Sequence, residues 1–203
     1  SAPGDDRVLL DDVVPALGEL NAIEAKDALK AFLQAREREQ KLTGRATILR
    51  ALGKLRSPEL GPYLMTQLRT DDVQAAAEAL GRSGYNGAFA EMTKIVRRPP
   101  NRDFSTPKVE NETLFKDRQA CLWGLAYLGN PAAAVELMRV IEDVVDDQRL
   151  RADAAEALGI VADDAVAGRI IEKVTNPQLD AVARAFYLQA LWHHPTPAGA
   201  ERL

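Results

Sequence analysis

The sequence predicts an all-α fold, a right-handed α-solenoid of about five and a half stacked helical hairpins forming a single domain over residues 1–203. Two observations carry this expectation. First, the tripeptide Ala-Leu-Gly recurs at Ala16-Leu17-Gly18, Ala51-Leu52-Gly53, Ala79-Leu80-Gly81 and Ala157-Leu158-Gly159, with variants at Tyr127-Leu128-Gly129 and Ala190-Leu191-Trp192. Second, 46% of residues are hydrophobic but only 5% aromatic, with much of the apolar content Ala and Leu. Those two residues lose little side-chain freedom in a helix, whereas a β-sandwich calls for more Val, Ile, Thr and aromatics.

Apolar spacing and turn signals place helices over 6–19, 22–38, 41–54, 58–69, 72–82, 86–97, 113–129, 131–145, 148–161, 164–174 and 178–193. The first helix of each hairpin runs into the tripeptide. In Arg45 to Gly53 the apolar positions fall at helical spacing, and Val73 to Gly81 and Arg151 to Gly159 repeat the pattern. The glycine is expected to close each helix, because it takes the left-handed conformation without a Cβ clash. The small residues before it let a second helix approach. The second helices open on Ser57-Pro58, Asn130-Pro131 and Asp163-Asp164, with a capping side chain or a proline at the first helical position. Leu52, Leu80, Leu128 and Leu158 occupy one repeat position and should form a core ladder; Leu49, Ala77, Leu125 and Ala155 should form a second.

Successive tripeptides lie 35, 28, 48, 30 and 33 residues apart. Four intervals suit a two-helix unit, and the 48-residue gap requires an insertion, placed as a loop at 98–112 with Pro99, Pro100 and Pro107. The chain stops after Pro195-Thr196-Pro197, where a sixth second helix should begin. That implies an incomplete last repeat, as a piece of a longer protein or a shortened cap. The Ala-Leu-Gly helix ends, with the Asp or Pro opening the next helix, resemble the HEAT-repeat family. The likeness is to the short bacterial HEAT-like repeats also found in phycobilin lyases, and it runs from Asp6 to about His193. The residues that carry the resemblance are structural, so it implies architecture rather than chemistry.

With 26 Lys and Arg against 30 Asp and Glu, the net charge is −4, which disfavours a nucleic-acid partner. Seven basic residues between 36 and 56 (Arg36, Arg38, Lys41, Arg45, Arg50, Lys54 and Arg56) form a local exception, read first as a solvated helix face and second as a docking patch for an acidic partner. No run of about 18 apolar residues offers a membrane span. One cysteine, Cys121, excludes an intrachain disulfide, and its repeat position matches Val73, which points to packing. His193-His194 have no carboxylate or thiol at ligand spacing, so no metal or other cofactor is expected. The pairs Asp5-Asp6, Asp11-Asp12, Asp71-Asp72, Asp146-Asp147 and Asp163-Asp164 read as helix caps and dipole partners rather than as cation ligands.

The candidate partner-binding residues are Lys94, Arg97, Arg98, Arg102, Phe104, Trp123, Tyr127 and Arg139. Trp123 stands where other copies have Thr47, Ala75 and Asp153, a position assigned to the outer face, and Tyr127 lies four residues on, along the same stripe. Either the insertion folds back, with Phe104 or Val109 packing on this pair, or the aromatics and arginines form an exposed hot spot. The expected function is non-enzymatic: a scaffold that docks another protein or a peptide on the concave face of the second helices. The alternative is a lyase-like protein handling a chromophore or small ligand, and the third is nucleic-acid binding through the 36–56 patch.

Overall fold

The computed structural model describes residues 7–99 and 108–193, which form eleven α-helices and no strand among the described residues. The chain divides into two compact units, Ser1–Ala90 and Glu91–Leu203. In the first, α1 (Val14–Glu19) follows a π-helical turn at Leu9–Val13, and α2 (Lys26–Arg38) follows a 3-10 turn at Ile23–Ala25. Then come α3 (Arg45–Lys54), α4 (Gly61–Gln67), entered through the 3-10 turn Pro58–Leu60, and α5 (Val73–Ser83). The division falls inside α6 (Phe89–Val96). The second unit holds α7 (Lys108–Tyr127), α8 (Ala132–Glu142), α9 (Gln148–Val161), α10 (Asp164–Thr175) and α11 (Ala181–His193). Each expected helix is present. The loop placed at 98–112 is shorter than expected, because α7 is helical from Lys108: after Pro107 no breaker interrupts the run.

Within each unit the first helices of successive hairpins stack side by side. In the first unit α3 packs between α1 and α5, with α2 against α3 and α4 against α5. In the second unit α9 packs between α7 and α11, α8 lies against α7, α9 and α11, and α10 covers α11. The expected ladder leucines are buried: Leu52 and Leu80 in the first unit, Leu128 and Leu158 in the second. Leu49, Ala77, Leu125 and Ala155 are sealed as well.

The tripeptide glycines do not generally close their helices. Gly18, Gly53, Gly81 and Gly159 lie inside α1, α3, α5 and α9; the left-handed residues come three positions after the first three of them, at Asn21 (φ 50°), Arg56 (φ 50°) and Gly84 (φ 72°). Only Gly129, after α7, is itself left-handed, at φ 67°. The physical reason at Gly18, Gly53 and Gly159 is close approach. A β-carbon at Gly53 would sit 2.4 Å from Cα of Ala79, and one at Gly18 would sit 3.0 Å from Cα of Ala51. In the second unit a β-carbon at Gly159 would lie 2.7 Å from the carbonyl oxygen of Ala190. Each glycine thus receives the alanine of the next copy's tripeptide. Trp192 takes the glycine's place in the last copy, and its side chain is 78% exposed.

Acids and amides start several helices as expected. Asp147 accepts from the Arg149 N–H at 2.9 Å, Asp163 from Val166 at 2.8 Å, and Asn130 from Ala132 at 2.9 Å. Ser57 makes no capping bond through its side chain, and neither does Asp72 at the start of α5.

We expect Gly53→Ala to destabilise the first unit by about 1–3 kcal/mol from overpacking, despite an intrinsic helix-propensity gain of about 1 kcal/mol. The midpoint of urea unfolding, followed by far-UV circular dichroism, measures it. An unchanged or raised midpoint would show that α3 and α5 do not need this approach.

Candidate partner-binding site

Three arginines, one on each of three first helices, tie the junctions beside them. Arg45 of α3 lies 3.0 Å from Asp72, just ahead of α5, and 3.6 Å from Glu37 of α2, and its Nη2 donates to Gln67 Oε1 at 3.1 Å. Arg118 of α7 donates from Nε to the Val96 carbonyl at 2.9 Å and from Nη1 to Asp146 Oδ1 at 2.7 Å, and Nη2 meets the second carboxylate oxygen. The side chains of Arg118 and Asp146 are 4% and 2% exposed. Arg151 of α9 donates from Nε to the Ile141 carbonyl at 2.9 Å and lies 3.7 Å from Asp180, whose carboxylate in turn accepts from the Ala183 N–H at the start of α11. Asp72 and Asp146, read from sequence as caps, are therefore clamp partners. Arg45, Val73, Cys121 and Arg151 share a repeat position; in α7, where Cys121 holds it, the clamping arginine sits one turn earlier. Cys121 is fully buried, and burial pushes its thiol up to about 12, so packing accounts for it.

The Arg118–Asp146 pair forms the floor of a cleft of about 370 Å³ in the second unit, lined also by Arg97, Pro99, Arg139, Asp143 and Val145. On its rim Glu136 of α8 gathers two guanidiniums. It accepts from Arg97 Nε at 3.0 Å, from Arg97 Nη2, and from Arg139 Nε at 3.2 Å. The Arg97 hydrogen bonds, helped by Arg139 and opposed by burial, hold the Glu136 carboxyl below its ordinary value. The Arg97 side chain stays 54% exposed and the Arg139 side chain 38%, so both present donor edges to solvent.

Of the residues named from sequence, the structure brings Arg97 and Arg139 together at this cleft. Lys94 pairs instead with Glu91 at 2.7 Å, and Arg98 is exposed. Arg102, Phe104 and the Val109 side chain lie outside the described residues, and the fold-back of the 98–112 insertion onto Trp123 and Tyr127 falls there with them. His194 and the acids Asp5-Asp6 are also outside.

Trp123 and Tyr127 share the expected stripe, with ring centroids 6.1 Å apart and planes at 29°. The outer-face assignment needs correction. Ala75 is 2% exposed, and Thr47, Trp123 and Asp153 are half-buried, because this position faces the neighbouring first helix. In the second unit α9 packs on the α7 face that carries Trp123, while Tyr127 stays 38% exposed. The Arg149 guanidinium lies 4.0 Å from the Phe115 ring centroid, and Gln119 Nε2 donates to Asp153 at 2.7 Å. Burial pushes the Asp153 carboxyl above its ordinary value, against hydrogen bonds from Gln119 and Trp123.

Internal pairs also engage the basic stretch of the first unit. Arg36 is 5% exposed and donates to the Thr43 carbonyl at 2.7 Å, Arg50 meets Glu78 at 3.1 Å, and Lys41 meets Glu39 at 2.7 Å. Lys54 pairs with Glu19. Among the described residues no cluster of metal-ligating side chains occurs, and no helix is long and apolar enough to cross a membrane.

Residues 117–143 match the family model of the PBS lyase HEAT-like repeat. The match takes in the C-terminal half of α7 and all of α8, so this hairpin is a HEAT-like repeat, as the tripeptides and helix starts suggested. Within it fall Arg118, Cys121, Glu136 and Arg139. No curated protein matches the chain.

Arg118, Glu136 and Arg151 were not singled out from sequence. A signal existed: each clamping arginine precedes its aspartate by 27, 28 or 29 residues, close to one repeat.

Replacing Arg118 with Met should cost about 3–5 kcal/mol, because Asp146 would be left buried without its counter-charge. Chemical denaturation reads the loss, and a change below 1 kcal/mol would show that water reaches the pair. Glu136 gives a pH signature. A depressed carboxyl adds stability above its ordinary value near 4.5 and loses it as pH falls through the folded value. Glu136→Gln should therefore flatten the fall of the unfolding midpoint below about pH 4.5, and an unaltered acid limb would contradict the assignment.

Proposed function

We propose that this protein is a non-enzymatic binding scaffold that docks another protein or a peptide, and that the C-terminal ends of α6 and α8 in the second unit form the docking face. One observation supports this above the rest. Arg97 and Arg139 converge on Glu136 at the mouth of a cleft, half-exposed yet fixed in position, whereas Arg36, Arg118 and Arg151 are buried. Arginines held in place at the edge of a concavity are a common interface element, because the guanidinium forms directional bonds and is weakly hydrated. The resemblance to repeats of phycobilin lyases adds no ligand chemistry of its own, since fold similarity does not carry activity.

Affinity purification with the wild-type chain, an Arg97→Glu/Arg139→Glu variant and a Tyr127→Ala variant, read by mass spectrometry, tests the reading. A partner retained by Tyr127→Ala and lost by the charge-reversed variant is the expected result. A partner retained by the charge-reversed variant, or none recovered with any protein, overturns it.

A further inference from the structure

Each close junction between first helices pairs two different faces. The side of one helix that carries the tripeptide glycine receives the side of the next that carries the tripeptide alanine. Gly18 takes Ala51, Gly53 takes Ala79 and Gly159 takes Ala190. Those three alanines are buried, whereas Ala16 of α1 is exposed. At α11 the glycine's place belongs to Trp192, which is exposed as well. α1 and α11 thus present, unpaired, the two halves of a contact that the chain makes with itself three times.

Both faces are apolar stripes of the same period. Leu9, Val13, Ala16 and Leu20 fall at i, i+4, i+7 and i+11 along α1 and the turn before it, and all four are exposed, Leu20 to 77%. Ala181, Ala185, Leu188 and Trp192 follow the same spacing along α11 and are likewise exposed. Alternating steps of four and three are the spacing of a seam between two helices. The outermost faces of stacked repeats are ordinarily polar, so apolar ones of this size mark a contact. Charge decides which face meets which. Residues 8–20 hold Asp11, Asp12 and Glu19 with no base, and α11 holds Arg184 with no acid. Two α1 faces would set acids against acids, and two α11 faces arginine against arginine. Exposed charges add little affinity, but they select the partner face.

We propose that α11 of one copy packs on α1 of a second copy, with Trp192 over Ala16, so that the protein assembles head to tail through the pairing of faces that stacks its own hairpins. With Trp192 level with Ala16, as Gly53 is with Ala79, Ala185 comes opposite Leu9 and Leu188 lies between Leu9 and Val13. Arg184 then stands one turn from Asp12. Trp192 holds the two helices farther apart than a glycine does, and the small Ala16 between Val13 and Leu20 is the hollow that takes its ring. Such a contact leaves a free α1 face and a free α11 face on every pair, so assembly runs on until a ring closes or a chain extends. It uses no residue of the cleft.

Sedimentation velocity of the full chain over about a hundredfold range of concentration tests this, with Leu20→Glu and Trp192→Glu as variants. Both side chains face solvent, and an unchanged thermal melt by far-UV circular dichroism checks that the fold is kept. The wild-type mass should rise with concentration, and the self-association of either variant should weaken by about a hundredfold or more. Leu20→Glu keeps an intact α11 face and Trp192→Glu an intact α1 face. An equimolar mixture of the two should therefore recover a one-to-one pair and grow no further. The proposal falls if the wild-type chain is monomeric throughout, if either variant associates by itself as the wild type does, or if the mixture forms no pair. Dimers of Leu20→Glu alone would put the contact between two α11 faces, and dimers of Trp192→Glu alone between two α1 faces; either result overturns it.

Discussion

The arginine that spans two junctions is the constraint on which the stacked hairpins depend. A helical hairpin cannot bury its apolar face alone, so stacking draws the junctions between hairpins out of water. Those junctions end one helix on unpaired carbonyls and start the next on unpaired amides. Arg118 deals with both at once: its Nε satisfies the Val96 carbonyl at the end of α6, and its other nitrogens hold Asp146, beside the Asp147 cap of α9. Arg151 satisfies the Ile141 carbonyl near the end of α8 in the same way and lies 3.7 Å from the half-exposed Asp180 ahead of α11, a looser version of the same arrangement. Such pairs add less to net stability than their loss would remove, since two charges had first to leave water. Their effect is to fix register, because an arginine displaced by one residue would reach neither the carbonyl nor the aspartate.

Once register is fixed, the glycine of one helix and the alanine of the next can share the same level. This contact explains why the tripeptide recurs. Gly53 meets Ala79, Gly18 meets Ala51 and Gly159 meets Ala190, and the tripeptide leucines Leu52, Leu80, Leu158 and Leu191 turn into the core. Small residues therefore mark the lines where first helices touch, and large ones such as Leu52 and Leu158 fill the space behind them. The low aromatic content has the same origin, since closely spaced helices leave little room for rings.

Helix existence was legible in the sequence because it depends on periodicity, which each segment carries within itself. Helix ends were less so. α3 begins at Arg45 rather than 41 because Gly44 is left-handed, at φ 81°, and α8 stops at Glu142 where Asp143 bonds back to its own turn. The tripeptide glycines were misread because a left-handed cap and a close approach make the same demand, the absence of a β-carbon, and only the neighbouring helix distinguishes them. Buried arginines were illegible for a related reason. A charged residue in an amphipathic helix reads as solvated until its partner, a whole repeat away, is known. Arg97 and Arg139 were named together with Trp123 and Tyr127, yet Trp123 went to the α7–α9 contact, Tyr127 stays exposed beside it, and the arginines went to the cleft. Helical phase separates the two sets, and phase is fixed only by the neighbour each helix packs against.

The cleft itself follows from the clamp. Drawing Asp146 down onto Arg118 pulls the turn after α8 toward the end of α6, and the side chains on either side then converge: Arg97 and Pro99 from one junction, Arg139, Asp143 and Val145 from the other. A hairpin lacking the buried pair would leave that turn unanchored and the two rim arginines without a common level at which to meet Glu136. The structural requirement of the repeat and the geometry of its candidate binding surface are thus one arrangement. The surface residues can vary to suit a partner only as long as the pair beneath them does not. A comparable cleft should be sought wherever an arginine holds the junction aspartate of the next hairpin while the ends of the second helices carry long side chains to form the rim.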